Sequence, residues 1–134
     1  MEVILTNMCL LVKDDQYLIQ NRTKNDWPGF TLPGGKVEMG ESILDSVIRE
    51  IKEETNLVIN EAKMVNYIEW LIEGKRHLCI LFRSDNFEGQ LKDSLEGENR
   101  FMKLEELDEN HFSDDFDKIL DLYGLKWRKK DGSN

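Results

Sequence analysis

The segment from Pro33 to Leu57 constrains this chain more than any other. It opens with Pro33-Gly34-Gly35, which interrupts an extended run and leaves the backbone free of side-chain bulk. Ser42 then supplies a residue suited to cap a helix N-terminus. From Ser42 to Thr55 the apolar residues Leu44, Val47, Ile48 and Ile51 recur at helical spacing and form one stripe. Asn56 stands where helices often end in a left-handed residue, a conformation that Asn tolerates. A short strand (Phe30 to Leu32), a tight turn and an amphipathic helix in that order call for a sheet on which the stripe is buried.

The same helix carries an unusual charge pattern. Glu50, Glu53 and Glu54 lie at i, i+3 and i+4, so a helix places them on one surface, beside the apolar stripe and not on it. Arg49, four residues before Glu53, is placed to hold that carboxylate by an ion pair. Close carboxylates repel one another, and hard oxygen ligands suit Mg²⁺ or Mn²⁺. A glutamate-rich helix taken alone more often presents a solvated face. What favours chemistry is the complete set at fixed spacing: Gly35, Glu41, Arg49, Glu50, Glu53 and Glu54. From average residue usage, six such positions coincide by chance less than about once in 10⁶ start points.

These residues fit G-x5-E-x7-R-E-U-x-E-E-x-G-U, where U is a bulky aliphatic, with Asn56 in place of the second glycine. The chain thereby resembles the Nudix hydrolase superfamily, and the entry LPGGKVEMGES resembles its MutT-like branch. The resemblance implies an α/β/α sandwich around a mixed β-sheet, with the box as a loop-helix-loop. It implies divalent metal bound by Glu50, Glu53 and Glu54 with the Gly35 carbonyl, while Glu41 and Arg49 support the motif. A glutamate outside the box often joins as ligand or general base; Glu98 is the candidate, with Glu96 the fallback. Catalytic roles fall to Glu53, Glu50 and Glu98. Arg22 and Lys36 resemble cations that steady phosphates in that branch, or are surface charges. Trp27 would stack on a base or anchor its loop, and Asp115 (or Asp114) would reach a base edge or serve a helix N-terminus.

The implied reaction is hydrolysis of a nucleoside triphosphate to the monophosphate and pyrophosphate, with 8-oxo-dGTP as leading substrate and nucleotide-pool sanitation as the role. ADP-ribose, a dinucleoside polyphosphate and a non-catalytic Nudix-like binding module are the alternatives. Charge bears on the partner. A net charge of −9 disfavours stable binding to DNA or RNA, and admits a nucleotide only with metal to offset both charges. Mg²⁺ is the expected cofactor, with Mn²⁺ a substitute.

The remaining sequence reads as one domain over residues 1–134, with a short basic tail from about 126 that is solvated or partly disordered. Strands are expected at Val3 to Lys13, Tyr17 to Asn21, Met64 to Ile72, His77 to Arg83 and Arg100 to Lys103, with turns at Asp14-Asp15 and Glu73-Gly74-Lys75. Ser113 is the expected cap of a helix running to Tyr123. Cys9 and Cys79 sit in apolar runs and read as buried thiols. No apolar run approaches the ~20 residues that span a bilayer, and the N-terminus lacks a secretory pattern, so the expected location is cytoplasmic. The sequence leaves monomer and homodimer open.

Overall fold

The computed structural model describes residues 2–127. Seven strands, β1 (Val3–Lys13), β2 (Gln16–Arg22), β3 (Gly29–Thr31), β4 (Gly34–Lys36), β5 (Val58–Ile72), β6 (Lys75–Glu88) and β7 (Gly97–Met102), join two helices, α1 (Ile43–Thr55) and α2 (Phe116–Leu122). The strand path runs β3-β2-β1-β6-β5, with β4 added to β1 and β7 to β2. The β1–β6 pair is parallel and the other named pairs are antiparallel, so the sheet is mixed. Both tight turns expected from the sequence form: Asp14 and Asp15, and Glu73 and Gly74, all have positive φ. That backbone matches the twist of a two-residue hairpin.

Alternation along β1 divides the core. Met8 and Leu10 face a cluster containing Phe116, Ile119 and Leu120 of α2. Cys9 and Leu11 face the other cluster, with Val47 and Ile51 of α1. One helix therefore covers each side of the sheet, and the architecture is the expected α/β/α sandwich. Val47 and Ile51 are fully buried, each stabilising the fold by roughly 1.5–3 kcal/mol. Cys9 and Cys79 are buried and free. They belong to opposite clusters, which rules out a bond between them.

Four details depart from the sequence reading. Leu44 is 44% exposed, and Ile43 takes its place in the stripe packed on the sheet. β5 begins six residues before Met64; bulges along Ile59 to Asn66 disturb the alternation that marks a strand. Ser113 does not cap α2: its hydroxyl donates to the Phe30 carbonyl (2.8 Å), and Asp115 at φ 67° is the N-cap. The start of the basic tail is packed, since Leu125 and Trp127 lie against the α2 cluster and Trp127 meets Phe112 edge-on at 5.3 Å. Residues 128–134, the rest of that tail, lie outside the described residues. Among the described residues no helix is long and apolar enough to cross a membrane.

Candidate active site

The entry to α1 is held by polar bonds as well as by packing. Ser42 caps the helix, its hydroxyl accepting from the Asp45 N–H at 3.0 Å, and Asn56 ends it at φ 68°. Asn7, 1% exposed on β1, donates to Ser46 Oγ at 2.9 Å and accepts from the Gly35 N–H at 3.3 Å. This one side chain ties β1, β4 and α1 together. Nothing in the sequence marked it, because its partners are 28 and 39 residues away.

The two glycines of β4 serve different neighbours. A Cβ at Gly34 would run into the Asn7 backbone, whereas one at Gly35 would run into the Glu50 carboxylate. Gly34→Ala is therefore expected to destabilise the fold. Gly35→Ala can be absorbed by swinging Glu50 aside, so its expected result is roughly 10²-fold lower kcat/KM with little change in melting temperature. Parallel thermal scans and initial rates on both variants check this.

Arg49 organises the acids around it. It donates to both oxygens of Glu41 (2.7 and 3.0 Å), to Glu50 (2.9 Å), to Glu53 (3.1 Å) and to the Lys36 carbonyl (3.0 Å). Glu41 also accepts from the Glu38 N–H, which closes the loop onto the helix. The Arg49 guanidinium, aided by that N–H, holds the Glu41 carboxyl down at about 2. Glu50 shifts the other way: burial raises its pKa, Arg49 opposes the rise, and Glu53 adds to it.

Glu54 is the most enclosed of the box acids, only 9% exposed. It accepts from Gln20 Nε2 at 3.0 Å, and Asn99 donates to its backbone carbonyl at 2.7 Å. Burial, chiefly, pushes its pKa up to about 7; the Gln20 bond opposes this, while the charges of Glu50 and Glu96 add to it. Glu53 points outward with its side chain 57% exposed. The three box acids thus occupy one helix surface as expected but do not close on a single point. Among the described residues, no three acidic, Cys or His side chains are gathered tightly enough to form a finished metal cage. The donor chemistry still fits a hard divalent ion. Glu50 and Glu54 are all-oxygen donors whose ionisation burial disfavours and a cation would restore.

A second group gathers at the end of β2, the β2–β3 loop and the turn before β7. Glu96 receives Arg22 at 3.0 Å and Lys24 at 2.8 Å, and Arg22 also meets Asp26 at 3.2 Å. Arg22 Nε is buried with no acceptor, a loss of about 1–3 kcal/mol relative to a satisfied donor. Glu98, the first candidate from the sequence, is exposed on β7. By strand alternation it faces away from Asn99, which bonds Glu54. Glu96, the fallback, is the acid whose charge reaches Glu54. Lys36 is exposed at the end of β4, and its carbonyl is what meets the box.

The loop that follows Arg22 and carries Lys24 and Asp26 also carries Trp27. Its ring meets Trp70 edge-on at 6.2 Å. Trp70 in turn donates to Asp115 Oδ2 at 2.7 Å, and Lys118 approaches Asp115 Oδ1 at 3.4 Å. Two residues that the sequence marks separately, Trp27 and Asp115, are thus joined through Trp70 of β5, which carries no motif of its own.

A helix bearing these acids, a glycine seated under Glu50 and a clamp on Arg49 is an arrangement with relatives. The NUDIX domain model matches residues 4–122. The chain belongs to the Nudix family. This Nudix domain is 35% identical to an ADP-ribose pyrophosphatase of Methanocaldococcus jannaschii over 89% of this chain and 71% of that one. It is also 35% identical to the Nudix hydrolase YvcI of Bacillus subtilis, over 66% of this chain but only 59% of the relative's length. Identity to an 8-oxo-dGTP diphosphatase of Buchnera aphidicola is 31%, over 62% and 65% of the two chains. A solved Nudix hydrolase of Nitrosomonas europaea superposes with a TM-score of 0.76 over 98% of this chain and all of that one at 20% identity, a likeness of fold. Nudix hydrolases act on nucleotide diphosphate and triphosphate linkages with divalent metal ions.

Proposed function

We propose that this Nudix hydrolase is a Mg²⁺-dependent nucleoside triphosphate pyrophosphohydrolase acting on 8-oxo-dGTP or a related modified purine triphosphate. The observation that carries the reading is the end of β2 and the β2–β3 loop, which set Arg22 and Lys24 on Glu96, the acid whose charge reaches Glu54, and Trp27 against Trp70, the donor to Asp115. A triphosphate needs the first group and a purine the second. The indoles offer apolar faces to a base, and the Asp115 carboxylate accepts hydrogen bonds from ring and amino N–H groups. The 8-oxo-dGTP diphosphatase relative acts on such a substrate.

When bound, the divalent ion neutralises phosphate charge and acidifies water in contact with it. Glu50, Glu54, the Gly35 carbonyl and Glu96 would hold it. Glu53, fixed at one oxygen by Arg49 and open to solvent, takes the proton of the attacking water. Water adds to phosphorus, the diphosphate bridge breaks, and the monophosphate and pyrophosphate leave. Arg22 and Lys24 steady the departing phosphates; Lys36, exposed beside the box, is a further contact.

ADP-ribose is the second reading, favoured by 35% identity to a pyrophosphatase of that name over most of this chain. Mg²⁺-dependent hydrolysis of 8-oxo-dGTP, dGTP, other triphosphates and ADP-ribose, with products resolved by chromatography, separates the two. The expected result is highest kcat/KM for 8-oxo-dGTP, with monophosphate and pyrophosphate as products. Preferred turnover of ADP-ribose would replace the substrate and keep the machinery.

A further inference from the structure

Glu96 has both oxygens engaged by cations: Oε2 by Arg22 at 3.0 Å and Oε1 by Lys24 at 2.8 Å. Such pairs commonly fasten two segments together, but here the backbone already does so. The Thr23 N–H donates to the Glu96 carbonyl at 3.2 Å, and β2 and β7 pair in register from Arg22↔Gly97 onward. The side chains are therefore free to change partners without parting the segments. Arg22 supplies a sign that its present partners are incomplete. Its Nη groups reach Glu96 and Asp26 while Nε is buried without an acceptor. A guanidinium with one idle buried N–H is suited to gain a multi-oxygen anion such as phosphate.

We propose that Glu96, Arg22 and Lys24 form a partner-exchange unit, in which arrival of a metal-bound phosphate draws Glu96 to the metal and passes both cations to phosphate oxygens. Until then the two cations compete with metal for the same carboxylate. Lys24, which no sequence motif marks, is the residue that sets this competition. Its side chain is 49% exposed and it makes a single ion pair, whereas Arg22 is bound on two sides. Metal alone would bind weakly, and metal together with phosphate would bind well. The unit thus couples the two ligands on a surface whose net charge would otherwise reject the anion. The inference rests on the metal-dependent hydrolase reading of the site and is independent of the base.

The test uses the full chain and two probes: Mn²⁺ alone, followed by its electron paramagnetic resonance signal, and inorganic pyrophosphate with Mg²⁺, followed by calorimetry. Lys24→Met keeps the aliphatic stem and removes the charge. Mn²⁺ alone should then bind about 3-fold more tightly, while magnesium pyrophosphate should bind about 10-fold more weakly. Glu96→Gln should weaken Mn²⁺ binding, with unaltered circular dichroism in both variants. Affinities that move in the same direction, an unchanged Mn²⁺ affinity in Lys24→Met, or full Mn²⁺ affinity in Glu96→Gln would each overturn the exchange. Failure of wild type to bind both Mn²⁺ alone and magnesium pyrophosphate would overturn both this inference and the hydrolase reading. Turnover of a different nucleotide would overturn the substrate alone.

Discussion

Glu53→Gln is expected to lower kcat by about 10²–10⁴-fold, with the melting temperature moved by less than about 2 °C. The two halves of this expectation come from different features. Glu53 is the most exposed of the box acids, so its replacement disturbs little packing, and the amide oxygen of Gln still accepts from Arg49. What Gln lacks is the ability to accept a proton at neutral pH. A loss confined to kcat, measured under saturating Mg²⁺ and nucleotide, fits a proton acceptor. A change below tenfold would remove Glu53 from that role and direct attention to Glu50 or Glu96. The same loss together with a collapse of Mn²⁺ affinity would make Glu53 chiefly a ligand.

The second large effect concerns pH and metal. Glu54 has its pKa raised by burial to about 7 from an ordinary 4.5, and Glu50 is displaced in the same direction. Below about 4.5 Glu54 is protonated both folded and unfolded, and its shift has no effect on stability. Between that value and about 7 the unfolded chain releases the proton while the folded chain keeps it, so stability falls as pH rises. Above about 7 the full cost is present, on the order of 3 kcal/mol for Glu54 alone. Glu41 acts oppositely in a lower window. Its stabilisation is present above about 4.5 and is lost as pH falls toward about 2.

Urea unfolding of chelator-treated protein should therefore show stability declining from about pH 5 to pH 8, a slope that Glu54→Gln flattens. Millimolar Mg²⁺ should raise stability more at pH 8 than at pH 6, because the ion offsets the charge that burial penalises. A slope unchanged in Glu54→Gln would show that other groups set the pH dependence.

What the sequence made legible was whatever is encoded locally. Ser42 and Asn56 mark the ends of α1 because caps act within a few residues. Asp14-Asp15 and Glu73-Gly74 mark turns through their own backbone preferences. Arg49 reaches Glu53 because four residues is one helical turn. Relations across the sheet were not legible. Asn7 to Ser46, Gln20 to Glu54 and Trp70 to Asp115 join residues 39, 34 and 45 positions apart, and each depends on strand register. Which of Glu98 and Glu96 lies toward Glu54 depends on pleat parity near the start of β7, which a turn of unknown geometry leaves undefined in the sequence. Ser113 lost its expected capping role because Phe30 is brought alongside it by a bridge to Phe112.

The pairing of β1 bears on how the chain is made. β1 lies against β6 in parallel, with Val3 opposite Arg76 and Leu11 opposite Ser84, and this pair is the centre of the sheet. β1 must wait for β6, which begins more than 60 residues after β1 ends, before its longest ladder can form. Meanwhile only the β1–β2 hairpin and the short β4 contact are within reach, and the MCLLV run of β1 has no cover. Folding of this topology is consequently late and dominated by long loop closure. The vulnerable species is the nascent chain, with apolar β1 open to pairing with another copy.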